Sequence, residues 1–500
     1  MTADLESDTT GALYSVRAVR EIDRLAIEER GIPGYELMTR AGRAAVDYAR
    51  RRFPNASRWT IVCGGGNNAG DGYVVARLAA EGGVDVTTVA VAEPTGLKGD
   101  AAQAFADFRA AGLAVRAWEG AIADAGDLLI DALLGSGLTR EISGEFHSAV
   151  VAINLAHAPI LALDIPTGLD GDSGRIHGIA VRADATITFV GKTAGLYLGV
   201  GPECCGDIEY CELDLPADCF EGVEATLRLI PDAVVGECLP SRQRDAHKGA
   251  FGHVVVVGGG PGMPGAVRLA GESALRSGAG LVTVATHPTH AAQIPVGRPE
   301  LMVQAVDGKA DTAHFESLLQ RASVIAVGPG LGQSVWAQSM LQLVLEAAAP
   351  LVMDADALNL IAGTKFNRAD SVLTPHPGEA GRLLGIDTAA VQADRLGAVR
   401  VLASRYGSTA VLKGAGSLIS AGASAPWLCR RGNPGMAAPG MGDALTGIIA
   451  ALIAQGLSAE TAAVCGVDLH ARAGDAAASP GQRGLLASDL IDALRPLVNP

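Results

Sequence analysis

Thr60-Ile61-Val62-Cys63-Gly64-Gly65-Gly66-Asn67-Asn68-Ala69-Gly70-Asp71-Gly72 reads as a buried strand that stops in a glycine loop, ahead of an alanine-rich stretch at 73–80. An unbroken apolar run, a glycine turn and then a helix make up the unit of a parallel sheet covered on both faces. The unit recurs. Apolar runs at 86–91, 128–131, 160–164 and 185–190 also end at or near Gly, Asp or Pro, with another alanine-rich stretch at 100–111. Helices at 16–29 and 35–53 are expected to pack on the same sheet. Further along, runs at 253–257, 281–285, 324–327, 351–354, 372–374 and 409–413 repeat the rhythm. Between the two blocks, residues 215–248 hold Pro216, Pro231, Pro240 and the mixed stretch Ser241-Arg242-Gln243-Arg244-Asp245. The expectation is two α/β domains, 1–225 and 226–500, whose ligands bind beyond the carboxyl ends of the strands.

Composition agrees. Five hundred residues exceed one ordinary core. The 64 glycines follow no short period, which excludes collagen-like and low-complexity chains. A net charge of −15 argues against nucleic acid or anionic lipid as partner. No run is long and apolar enough to span a bilayer. The eight cysteines include no C-x-x-C pair, so reduced thiols are expected. The first residues carry Asp4, Glu6 and Asp8 and no apolar core, unlike a signal peptide. A cytoplasmic protein is expected, acting as a homo-oligomer on small molecules.

Gly64-x-Gly66-x-x-Ala69 fits a dinucleotide fingerprint literally, and Glu93 could serve as its ribose acid. Against that, Asn67, Asn68 and Asp71 crowd the place of a pyrophosphate, and an acid at a helix start repels phosphate. Amides and carboxylates better suit a hydroxylated ligand or a hard cation. Two more strand ends support this: Asp131, which opens Asp131-Ala-Leu-Leu-Gly135-Ser136-Gly137-Leu138-Thr139-Arg140-Glu141, and Asp164 in Asp164-Ile165-Pro166-Thr167-Gly168. Oxygen ligands of this kind suit K⁺, Mg²⁺ or Ca²⁺. Lys192, after the last strand, could bring an amine.

Together with Leu37-Met38-x-x-Ala41-Gly42, these motifs resemble the NAD(P)H-hydrate epimerase family, from about Ser15 to Asp214. The resemblance implies a Rossmann-like three-layer αβα fold and interconversion of the R and S hydrates of NADH and NADPH with K⁺. It assigns Asn68, Asp131 and Thr167 as K⁺ ligands. Asn67, Asn68, Ala69, Gly70 and Asp71, the run Gly135 to Glu141, and Asp164 would contact the hydrated nucleotide. Asp164 and Lys192 are the candidates for proton handling. Ala69 stands where the family usually has glycine, which would restrict a loop needing positive φ.

In the second block, Gly440-Met441-Gly442-Asp443 stands at the mouth of the apolar run 444–453. Glycines and a helix start gather amides around an anion. An Asp there makes sense as a base that takes a hydroxyl proton while those amides hold the phosphoryl group under attack. Lys413-Gly414-Ala415-Gly416-Ser417 can hold nucleotide phosphate, and His376 is posed between two prolines. Asp354 and Asp356 look like a metal pair, of which at most one is expected to reach a site. His287 and His290 are expected at the surface.

With His247-Lys248-Gly249-x-Phe251-Gly252, Leu275-Arg276-Ser-Gly278-Ala-Gly280 and Gly432-Asn433-Pro434-Gly435-Met436-Ala437, this order resembles the ADP-dependent NAD(P)H-hydrate dehydratase family, from about Arg242 to Leu494. The resemblance implies a ribokinase-like fold. Asp443 would deprotonate and contact the hydrate, Ala266, Gly330 and His376 would line its site, and Lys413 to Ser417 with Gly442 would bind ADP with Mg²⁺. Pro439 departs from the family's Ser/Thr-Gly pattern and would weaken an anion hole needing that amide. The chain reads as a fusion of the two families. The nearest alternative is a ribokinase-like small-molecule kinase with a non-catalytic N-terminal binding module, and a hydride-transferring dehydrogenase comes third.

Overall fold

The computed structural model describes residues 11–308 and 312–499, so Asp4, Glu6 and Asp8 lie outside the described residues. They fall into two compact units, Ala12–Leu227 and a second built from residues 228 onward.

The first unit carries a seven-stranded sheet whose paired neighbours are all parallel. Its spatial order is Val115–Ala117, Asp85–Ala90, Arg58–Cys63, Leu128–Ala132, Ile160–Leu163, Ala185–Phe189, Asp207–Cys211. The chain starts at Arg58–Cys63, runs outward to one edge, then returns to Leu128–Ala132 and runs to the other. The order therefore reverses between these two central strands, and the loops after them diverge to leave a crevice. Helices Asn67–Glu81 and Gly34–Arg52 bury one face through Tyr73, Val74, Val75, Ala45 and Ala49. The helix expected over 16–29 is α-helical only over Val16–Arg24 and continues as a π turn, Leu25–Glu29. The edge strands Val115–Ala117 and Asp207–Cys211 are short or half exposed, which is why no clean apolar run marks them.

The second unit repeats the principle. Strands Met302–Ala305, Leu281–Thr286, His253–Gly258, Val324–Val327, Leu351–Met353, Ser371–Leu373 and Thr409–Leu412 lie parallel in that order. Antiparallel Leu418–Ser420 and Trp427–Leu428 extend one edge. Here the order reverses between His253–Gly258 and Val324–Val327. Helix Met441–Ala454 is apolar on all sides and buried from Ala444 to Ala454, as a helix inside a packed layer must be. Among the described residues no helix is long and apolar enough to cross a membrane.

Candidate active sites

At the switch point of the first sheet lies a cavity of about 640 Å³. The expected loop at Asn67–Asp71 is helical: Gly66 is the N-cap and the helix starts at Asn67. Helical periodicity therefore divides those residues. Asn67, Asn68 and Asp71 line the cavity, whereas Ala69 is fully buried against the core and Gly70 packs against Met38 and Ala101. Ala69 is not among the positive-φ residues, so the methyl group costs nothing there. Gly135, Ser136, Gly137, Leu138, Thr139 and Arg140 line the opposite wall, and exposed Glu141 does not.

Asp164 follows strand Ile160–Leu163 with φ 64°, and Val190 follows the next strand with the same φ. Left-handed backbone at a non-glycine residue is a strained state, and for β-branched Val190 an outlier; here two such residues line one cavity. The Asp164 carboxylate accepts the Ser136 amide at 2.8 Å. Asp23 and Arg20, from helix Val16–Arg24, and Asp71 also line the cavity. Burial raises the pKa of Asp164, opposed by the Ser136 hydrogen bonds and Arg20. Burial, and then the charge of Asp164, push Asp23 to about 6. Burial, Asp164 and Asp23 push Asp71 well above the usual range. Asp23 and Arg20 were missed from sequence because they carry no motif; they belong to a helix whose amphipathic pattern reports only packing.

Beneath the cavity, Asp131 is fully buried. Its carboxylate accepts the Thr167 amide and hydroxyl, both at 2.8 Å, and the Leu133 amide at 3.2 Å. Burial pushes it to about 6 despite those bonds. Asn68 is 6% exposed, and neither its Oδ1 nor its Nδ2 has a hydrogen-bond partner. A buried amide whose oxygen and nitrogen both lack a partner calls for one, and an amide, a carboxylate and a hydroxyl are the oxygen donors that suit K⁺. Lys192 comes two residues after cavity-lining Val190. It does not line the cavity, and its amine lies 5.0 Å from the centroid of the Tyr210 ring.

In the second unit, Gly440 caps helix Met441–Ala454 with φ 87°. A Cβ at Gly440 would meet the movable tip of Leu269 at 2.5 Å, so it is the left-handed backbone that calls for glycine here. The Ala444 amide is the first to bond back, to Gly440 O, which leaves the amides of Met441, Gly442 and Asp443 without helical partners. These lie after Pro439, so its missing N–H is not one of them. Nε2 of His470, another residue missed from sequence, bonds the Met441 carbonyl at 3.0 Å; burial lowers this imidazole to about 4, so it is neutral and donates.

Asp443 sits in that first turn. Beside it, the Lys413 amine bonds Asp354 Oδ1 at 2.6 Å and lies 3.9 Å from Glu379. Thr446, one turn after Asp443, donates to Asp354 Oδ2 at 3.0 Å. A Cβ on Gly442 would lie 3.1 Å from the Lys413 amine, so the glycine lets the helix start close over this pair. Burial alone would raise Asp354, but Lys413 and the threonine hydroxyls hold it below the usual value. Burial, with the charges of Asp354, Asp356 and Glu379, pushes Asp443 up to about 7 against the pull of Lys413.

The expected metal pair is therefore split. Asp354 is an ion-pair partner, and Asp356 accepts the Gly332 amide at 2.8 Å. Among the described residues no group of three His, Cys, Asp or Glu side chains could hold a metal ion. His376 caps helix Pro377–Leu384, its Nδ1 accepting the Gly378 amide at 3.0 Å and its backbone amide bonding Glu379 at 2.8 Å. Gly330 adopts φ 56° where a Cβ would lie 3.1 Å from Ala266, which brings those two together. Gly414, Ala415, Gly416 and Ser417 form the turn after Lys413. Arg395 clamps that turn through the Gly416 carbonyl at 3.1 Å. His290, expected at the surface, is buried and accepts the Gly262 amide at 2.9 Å.

A doubly wound sheet with an aspartate at a helix start beside a lysine–carboxylate pair defines a ribokinase-like α/β domain. The ribokinase-like superfamily protein from Enterococcus faecalis V583 aligns with TM-score 0.51 and 32% identity, over 55% of this chain and 96% of that one. The ADP/ATP-dependent NAD(P)H-hydrate dehydratase from Bacillus subtilis, co-crystallised with ATP/Mg²⁺, aligns with TM-score 0.48 and 30% identity, over 54% and 98%. Residues 254–496 match the family described as NAD(P)H-hydrate dehydratase, and residues 34–195 match the YjeF-related protein N-terminus. The bifunctional NAD(P)H-hydrate repair enzyme of Coxiella burnetii is 48% identical over 98% of this chain and 99% of its own length. The chain belongs to the bifunctional NAD(P)H-hydrate repair enzyme family. Similarity along the full length of such a relative disfavours the kinase with a non-catalytic N-terminal module.

Proposed function

We propose that the first unit interconverts the R and S epimers of hydrated NADH and NADPH, and that the second dehydrates the S epimer to NADH or NADPH as ADP becomes AMP and phosphate. Asp443 takes the proton of the hydrate hydroxyl. The freed oxygen attacks the terminal phosphoryl group of ADP, and AMP leaves. Loss of phosphate, with a proton from the neighbouring ring carbon, restores the double bond. The amides of Met441, Gly442 and Asp443 stabilise the phosphoryl oxygens. Lys413 and the turn to Ser417 face the nucleotide, and Ala266, Gly330 and His376 face the hydrate. Mg²⁺ belongs with the nucleotide phosphates, since the acidic residues nearby are tied to Lys413 and Gly332. The observation that carries this reading is Asp443 poised near 7 in the first turn of a helix with free amides. A base with that pKa is both ionised and basic at neutral pH.

In the first unit, Asp164 moves the proton at the epimerising centre. Asn68, Asp131 and Thr167 would hold K⁺, a fixed charge that orients polar groups of the hydrated nucleotide. Lys192, two residues after cavity-lining Val190, is the second candidate for handling that proton.

The test uses chemically hydrated NADH of mixed epimers, with protein, ADP and Mg²⁺, and follows dihydronicotinamide absorbance. Complete recovery faster than spontaneous epimerisation is expected. Prompt recovery of one epimer, with the other lagging at the spontaneous rate, would remove the epimerase half. Recovery without ADP would remove the phosphoryl step.

A further inference from the structure

Two family motifs, His247-Lys248-Gly249-x-Phe251-Gly252 and Leu275-Arg276-Ser277-Gly278-Ala279-Gly280, take no part in the Asp443 site. The structure gathers residues of both around one cavity of about 1020 Å³. It lies where strands His253–Gly258 and Leu281–Thr286 begin, at the opposite end of the sheet from Asp443. Gln455, the C-cap of helix Met441–Ala454, also lines it. That helix has 14 residues, so the cavity and Asp443 are about 20 Å apart along its axis.

The lining is arginine-rich in a chain of net charge −15: Arg242, Arg276 and Arg495, with His247 among them, face a single acid, Asp245. Arg242 stacks 3.6 Å from the Phe251 ring centroid and bonds Gln455 Oε1 at 3.0 Å. Arg276 lies 3.6 Å from Asp492. Among the described residues, the Arg495 and His247 side chains have no hydrogen-bond or ion-pair partner. Ser277 lines the same cavity, is 1% exposed, and its Oγ has no partner. A buried hydroxyl without a partner is rare and calls for one. Arg276 and Arg495 also answer the negative ends of their own helices. That role does not require the guanidinium groups to converge on one cavity beside an orphaned hydroxyl.

We propose that this cavity is a second ligand site, for a small phosphoryl-bearing anion held by Arg495, His247 and Arg276 with Ser277 Oγ as a further partner. It is separate from the dehydration site and does not rest on the reaction assigned there. Its volume suits a ligand of nucleotide size.

The test is hydrogen–deuterium exchange of the full chain titrated with inorganic diphosphate. Amides in 241–251 and 275–280 should become protected, and Arg495→Glu should raise the midpoint about tenfold or more. The milder Arg495→Gln should raise it too if the glutamate variant folds poorly, with dehydration rate unchanged in either folded variant. Protection confined to 440–443, none at millimolar diphosphate, or a midpoint indifferent to Arg495 would each overturn the proposal.

Discussion

Each unit gathers three or more carboxylates at the carboxyl ends of a parallel sheet, yet the two clusters handle protons differently. In the second, Lys413 stands inside the cluster. It fixes Asp354 as an anion, and that fixed charge helps lift Asp443 to about 7. The protons are sorted: one carboxylate is always ionised and one is a poised base. In the first, Asp23, Asp71 and Asp164 line a cavity with Arg20 and Arg140, and Arg20 only weakly opposes the rise of Asp164. All three carboxyls are raised by burial, and the charge of Asp164 raises Asp23 and Asp71 further, so the three titrate as a coupled set. Sorting suits a directional step with one base. A coupled set suits an epimerisation, which must give back the proton it takes.

The comparison breaks most visibly at Asp443. Asp443→Asn should slow dehydration by about 10⁴-fold, because no neighbour can replace the base, while the fold and nucleotide binding remain. Stopped-flow or steady-state absorbance would measure it, and unchanged turnover would refute the base. Asp164→Asn should slow epimerisation by only about 10²-fold, since Asp23 and Asp71 share its cavity. Chiral separation of the hydrates reads this directly. A loss as deep as that at Asp443 would mean that the first cluster is sorted after all.

Lys413→Met leaves the buried Asp354 carboxyl without its ion-pair partner. The cost should be about 3–5 kcal/mol in urea unfolding. Because Lys413 lowers Asp443, its loss should also move the acid limb of the dehydration profile to higher pH. In the wild type that limb should rise with pH through about 7, as Asp443 ionises. The same shift has a stability consequence of known sign. Between about 4, the ordinary aspartate value, and the raised folded value, the folded chain binds the extra proton. This group's contribution is thus full below that window and is lost as pH rises through it. Dehydration that is flat from pH 6 to 8 would contradict the assignment. The smallest effect is expected at Ala69→Gly: about 0.5–1 kcal/mol of destabilisation for a glycine in a helix interior, with no gain in epimerisation rate. A faster enzyme would show that the helix start must open.

The alternation of apolar runs, glycine turns and alanine-rich helices was enough to read two parallel sheets from the sequence. Strands buried on both faces need no partner information to be recognised. The strand-end aspartates and Asp443 were legible for the same reason, because topology delivers strand ends and helix starts to one edge. Reach and pairing were not legible. Local residues do not reveal that Asn67–Asp71 coil into a helix that turns Ala69 inward, or that Lys192 settles by Tyr210. Nor do they reveal that a helix without a motif brings Asp23 and Arg20 to the cavity. Backbone periodicity is a property of neighbours in sequence. Which carboxylate faces which amine is set by distances of a few ångströms across elements, and those distances, through burial and charge, determine which proton can move.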